Sequence, residues 1–294
     1  MIAAERLIPA RGARLFVREI GTGPPVVVLH GGPDFDHRYL LPELDRLSDV
    51  ARLIYYDQRG RGRSADGVEP DSVTIESEID DLETIRESLG FGRVALLGHS
   101  WGGLLAAEYA VRHPQRVSHL VMMNSAPFSF EERERLRMDR QRNPGTDLEG
   151  MKAIAATPLF RAGDIAAEAE YYRLHFRTAL RRPEDVERIV SRLRIGFNRE
   201  GILKARAIED RLYRQTWNSS AYDLSPALGR LEAPTLVIHG AQDLVPVSCA
   251  ENLARAVPGA RLEILEDCGH FAYLEQPGRV HEAIAELLLQ ARVR

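Results

Sequence analysis

Apolar positions along the chain follow two rhythms. Short, unbroken apolar runs such as "VVVLH" (26–30) and "RLIYYD" (52–57) predict strands buried on both faces. "ARLFVREI" (13–20), "RVALLG" (93–98), "VSHLVMMN" (117–124), "TLVIHG" (235–240) and "RLEILE" (261–266) predict further strands. Between some of them the spacing lengthens. Ile75, Ile79, Leu82, Ile85 and Leu89 recur at helical intervals with acids opposite, and Val280, Ile284 and Leu287 mark a closing helix. "LLAAEYAV" (104–111) predicts another helix, ending near His113-Pro114. Strands alternating with helices imply a mostly parallel sheet covered on both sides.

The alternation fails once. From about 125 to 225 the chain is rich in Arg, Glu and Ala, and no buried strand is evident. This predicts two units: a sheet-forming core made of 1–124 and 226–294, and a helical cap made of 125–225. A cap over the C-terminal ends of the strands would lie where open α/β sheets bind ligands.

Composition narrows the function classes. The chain has 294 residues and a net charge of −4, so no electrostatic footprint for nucleic acid is present. "EERERLRMDRQR" (131–142) interleaves acids with its arginines and predicts a solvated helix face. No apolar run approaches the roughly 18 residues that would span a bilayer, and the N-terminus has no apolar signal core. Two cysteines, Cys249 and Cys268, are too few for a disulfide framework and suit a reducing cytoplasm, although they leave one pairing open.

The candidate chemistry starts at "VALLGHSWGG" (94–103). Gly98 and Gly102 flank Ser100 in a G-x-S-x-G pattern placed after a strand and before a helix. Such a turn reverses so sharply that only small residues fit two positions either side, and it pushes the hydroxyl out over the sheet edge. A serine needs a base, and the base needs an orienting acid. His270, after the last strand in "EDCGHFAYLEQP", is the candidate base. Asp243, just past "TLVIHG", is the candidate acid. His37 remains a rival base near a pocket mouth. Asp267 is a rival acid, and Cys268, next to the base's own loop, reads as a small packed hydrophobe. In "HGGPD" (30–34) the glycines leave backbone N–H groups uncovered, so the N–H groups of Gly32 and Trp101 are the expected oxyanion donors.

Together "HGGPD", "YYDQRGRGRS" (55–64), "GHSWGG", "GAQDLVP" and "CGHFAYLEQP" resemble the α/β-hydrolase superfamily, nearest the proline iminopeptidase-like serine hydrolases of peptidase family S33. The resemblance covers roughly 13–124 and 226–294. It implies the α/β-hydrolase fold with an inserted cap, Ser100 as nucleophile with Asp243 and His270, and Gly32 and Trp101 at the oxyanion. It also implies that Asp57 and Arg59 brace the active-site floor. The chain departs from the pattern at Asp34, where these enzymes usually carry the last glycine of HGGPG. Glu209, in "ARAIEDRLY", is loosely similar to the acidic cap residues that hold a substrate amine, and Asp34 and Glu209 are the candidate substrate-binding carboxylates.

A serine at the elbow, where dehalogenases and epoxide hydrolases of this fold carry aspartate, implies acyl transfer. The expectation is a serine hydrolase without metal or cofactor, acting on a small molecule or short peptide, with no nucleic-acid or membrane partner. Prolyl aminopeptidase-like cleavage leads. Carboxylesterase activity on small acyl esters is the alternative, and a small-molecule receptor with a retained triad is the alternative from another class.

Overall fold

A computed structural model describes residues 3–143 and 145–290. Its sheet has eight strands: β1 (Ala4–Ala10), β2 (Ala13–Ile20), β3 (Pro25–Leu29), β4 (Arg52–Tyr56), β5 (Val94–His99), β6 (Val117–Met123), β7 (Thr235–Gly240) and β8 (Arg261–Leu265). Their spatial order is β1-β2-β4-β3-β5-β6-β7-β8. Pairing is parallel from β4 through β8, while β1 with β2 and β2 with β4 are antiparallel. The fold is therefore the α/β-hydrolase arrangement.

The helices are α1 (Ile75–Ser88), α2 (Trp101–Arg112), α3 (Phe130–Arg142), α4 (Leu148–Ala156), α5 (Pro158–Arg161), α6 (Ile165–Phe176), α7 (Pro183–Leu193), α8 (Arg199–Gln215), α9 (Ser225–Leu228), α10 (Val247–Ala256), α11 (Ala272–Glu275) and α12 (Pro277–Gln290). Strand side chains alternate between two cores. Val27, Leu29, Ile54 and Leu96 pack with α1 and α2, while Val26, Val28, Leu53 and Leu97 pack with α12. Each such side chain removed from water contributes about 1.5–3 kcal/mol, which is why unbroken apolar runs mark the central strands.

Strand β1 has no counterpart among the expected strands. Five of its seven residues, Ala4 to Leu7 and Pro9, are exposed, so "AERLIPA" carries no apolar run, and its place comes from pairing with β2 at the sheet edge. The stretch 131–142 forms α3 and is largely exposed, as expected of a solvated helix, and Arg133, Leu136, Arg137 and Arg140 on it also line a cavity. Between β6 and β7 the described residues contain helices and a single isolated bridge, Ser129 to Asp223. Both cysteines are free and buried, which closes the pairing left open. No helix among the described residues is long and apolar enough to cross a membrane.

Candidate active site

The turn after β5 is strained, and its neighbours hold it so. Ser100 has φ +55° and ψ −119°. Its N–H donates to the Met123 carbonyl at 3.1 Å, and its carbonyl accepts from the N–H groups of Gly103 and Ala126. A Cβ on Gly98 would lie 2.2 Å from the Gly102 carbonyl oxygen, and one on Gly102 would lie 2.1 Å from that of Leu29. Those contacts are closer than real Cβ atoms tolerate, so both flanking glycines are steric requirements of the turn. Trp101 is the first residue of α2, so its N–H has no carbonyl four residues back within the helix.

Asp243 and His270 come from the loops beyond β7 and β8. His270 Nδ1 donates to Asp243 Oδ1 at 2.8 Å. The same carboxylate accepts from the Val245 N–H at 2.9 Å and from Asn124 Nδ2 at 2.8 Å. Burial alone would raise the Asp243 pKa, but His270, His239 and the Val245 N–H outweigh it and hold the carboxyl at about 2. With Nδ1 occupied, His270 has only Nε2 free, and it lines the same cavity as Ser100.

Gly32, at φ +57°, follows β3 and also lines that cavity. A hydrogen-bonded chain ties its loop to the serine turn. The Gly31 N–H donates to the Tyr39 hydroxyl at 2.7 Å, that hydroxyl donates to His99 Nδ1 at 2.7 Å, and His99 Nε2 donates to the His270 carbonyl at 2.8 Å. Burial pushes the His99 pKa down to about 3, so its imidazole is neutral, as this pattern of one donor and one acceptor nitrogen requires. Nothing in the sequence marks Tyr39, His99 or Asn124 for these positioning roles. Asn124, at φ +47°, stands in the left-handed region that Asn tolerates, a geometric signal that no sequence pattern reports.

The cavity has a volume of about 930 Å³ and is walled by the strand ends below and by α3, α4, α6 and α8 above. Both candidate carboxylates of the sequence lie in its wall. Asp34 is buried, and its Oδ2 accepts from the Tyr172 hydroxyl at 2.8 Å and from Arg194. Arg194 also donates to the Asp34 carbonyl at 2.6 Å and to Glu168 at 2.8 Å. Glu209 accepts from the Tyr213 hydroxyl at 2.7 Å. Burial raises the Glu209 pKa to about 8, with the charge of Asp34 adding to the effect. Tyr213 packs at a tilt against Trp217, ring centres 4.9 Å apart, and Trp217 meets Trp101 edge-on at 5.3 Å. Arg194, Tyr213 and His175 carried no signal, because their roles come from how the helices between β6 and β7 fold back over the sheet.

The rivals lie elsewhere. His37 is buried against Asp57, with Nδ1 2.6 Å from Oδ1, and is not part of the cavity wall. This corrects its expected place at a pocket mouth: the carboxylate of Asp57 draws the ring into the core. Asp267 is exposed, and burial pushes the Cys268 thiol well above its ordinary range. Asp57 also accepts from the Arg63 N–H, while Arg59 pairs with Asp81 at 2.5 Å and Arg61 with Glu78 at 2.6 Å, tying this loop to α1. Asp36, His37 and Asp57 could offer a metal three ligand atoms within 4.8 Å of one another. Asp36 is instead matched by Arg38, and Asp57 by His37.

Residues 24–277 match the family model described as alpha/beta hydrolase fold. The proline iminopeptidase of Saccharolobus solfataricus is 29% identical, covering 92% of this chain and 86% of that protein. The proline iminopeptidase of Lactobacillus crispatus is 28% identical over 99% of both. Among solved structures, the proline iminopeptidase of Mycobacterium smegmatis superposes with a TM-score of 0.71 at 25% identity over 98% of each chain. A thermophilic esterase from Thermogutta terrifontis superposes with a TM-score of 0.67 at 27% identity over 99% of each.

Proposed function

The chain belongs to the alpha/beta-hydrolase family, and from that premise we propose that it is a serine hydrolase working through an acyl-enzyme, with prolyl aminopeptidase activity as its leading specificity. His270 Nε2 takes the proton from Ser100 as its Oγ attacks the substrate carbonyl. Asp243 keeps the imidazole in the tautomer that leaves Nε2 basic, and the charge on the tetrahedral oxygen is met by the N–H groups of Gly32 and Trp101. His270 then protonates the leaving group and activates the water that frees the acyl group. The observation that carries this reading is the His270–Asp243 hydrogen bond at 2.8 Å, made by a histidine that lines the same cavity as Ser100.

The aminopeptidase preference rests on Glu209, a carboxyl on the cavity wall held by Tyr213, together with the relatives of that activity. A substrate ammonium beside it would favour its ionised form. One observation favours the second reading, carboxylesterase. With a pKa of about 8 Glu209 is mostly neutral at pH 7 in the free protein, and a neutral wall suits an uncharged ester. In both readings the segment 125–225 is the lid over the core made of 1–124 and 226–294, and free Cys249 and Cys268 suit a cytoplasmic protein acting on small substrates.

Proline β-naphthylamide and p-nitrophenyl acetate, assayed side by side, separate the readings. Turnover of both, with the amide lost in Glu209→Gln, supports the aminopeptidase. Ester turnover without any aminoacyl-amide turnover reassigns the protein to the esterases.

A further inference from the structure

The side of α3 that faces the cavity carries charge the mechanism does not use. Arg133, Leu136, Arg137 and Arg140 succeed one another at helical intervals and line the cavity that Ser100 and Glu209 share. Arg137 in this row pairs with Glu134, and the adjacent Arg135 with Glu131. Arg133 and Arg140 are different. Among the described residues no carboxylate lies within the 4.0 Å of an ion pair from either one. Arg140 Nη2 reaches His175 Nδ1 at 3.4 Å, and the Arg133 guanidinium sits 5.1 Å from the centre of the Trp217 ring.

The acids on the same cavity wall are engaged elsewhere. Asp34 is held by Arg194 and Tyr172, Glu209 accepts from Tyr213, and Asp147 accepts from the Gly150 N–H as the cap of α4, while Glu149 is exposed. Arg140 is half-buried, and both its burial and the charge of Arg133 lower its pKa. His175 is kept neutral by burial and by the same two arginines, so it offers Arg140 no charge. Two guanidinium groups that share a cavity without a counter-charge are costly unless an anion arrives with the ligand.

We propose that Arg133 and Arg140 seat a carboxylate on the leaving-group side of the substrate, so that the preferred substrate is a short peptide with a free C-terminus, a dipeptide first. This rests on the aminopeptidase reading, in which Glu209 holds the amine of the acyl residue and leaves the arginines to the other end. Arg133 lies on the nucleophile's side of the wall, because Trp217 beneath it packs on Trp101, the residue after Ser100.

The test compares kcat/KM for Pro-Ala and for Pro-Ala amide in the wild type, Arg133→Gln, Arg140→Gln and Arg140→Lys. Charge-assisted pairing predicts that the wild type prefers the free acid by about tenfold or more. In Arg140→Gln the ratio falls toward one through KM, and in Arg140→Lys part of it returns. A second arm omits the amine: inhibition of p-nitrophenyl acetate turnover by N-acetylalanine and by its amide. Selective inhibition by the acid, lost in Arg140→Gln, supports the seat even if no dipeptide is cleaved, and that combination counts against the aminopeptidase reading alone. Equal inhibition by acid and amide overturns the seat, as does a preference for the free acid that survives in both glutamine variants.

Discussion

Asp243 Oδ1 and His270 Nδ1 lie 2.8 Å apart although the two residues follow different strands and are 27 positions apart in the chain. The bond selects the imidazole tautomer, and the low pKa of Asp243, about 2, keeps the acceptor ionised throughout the working pH range. Asp243→Asn keeps the shape and removes the charge. Steady-state kinetics with p-nitrophenyl acetate should show kcat falling by about 10⁴-fold. Turnover within a few-fold of wild type would assign the acid's role to another residue.

Tyr39 joins the loop of Gly32 to the serine turn through one hydroxyl, which accepts from Gly31 and donates to His99. Tyr39→Phe leaves a buried N–H and a buried ring nitrogen unpaired, at a cost of about 1–3 kcal/mol each. Urea denaturation should register that loss, and kcat should fall about tenfold or more as the oxyanion donor loses its placement. Unchanged values on both counts would reduce the chain of bonds to decoration.

Glu209 makes stability depend on pH in a defined direction. Its pKa rises from an ordinary 4.5 to about 8 on folding, so between these values the folded state binds more protons than the unfolded state. Stability contributed by the neutral carboxyl is complete below pH 4.5 and is lost as pH rises toward 8. Glu209→Gln cannot ionise. Its melting temperature should match the wild type near pH 4.5 and exceed it by at least about 2 °C at pH 8. Parallel melting curves across that range would contradict a carboxyl with this raised pKa.

Arg194 links Asp34 to Glu168 in a buried network. Arg194→Ala removes the cation paired with buried Asp34, while Glu168 keeps Arg206, and should cost about 3–5 kcal/mol in chemical denaturation. A loss below about 1 kcal/mol would mean that other groups neutralise Asp34.

The legible parts of this molecule are those where the cause is local. "VVVLH" and "TLVIHG" announce central strands because both faces of each strand are buried, and Ser100 stands out because its turn excludes side chains on either side. Asp243 and His270 could be nominated because a parallel sheet delivers its strand ends to one edge. What was hidden depends on distant partners. Strand β1 exists through its pairing with β2, and Asp34 is explained by Arg194, 160 positions away. The alternating charges of α3 announce an exposed helix, but that Arg133 and Arg140 on it also line the cavity with residues of α6 and α8 depends on how distant helices fold together.

The most direct test of the whole account is the site of covalent capture. The protein is incubated with a fluorophosphonate, its intact mass is measured, and the adduct is located by peptide mapping. One adduct per chain on Ser100, absent from Ser100→Ala, is the predicted result. An unlabelled wild type, or equal labelling of the alanine variant, would contradict it.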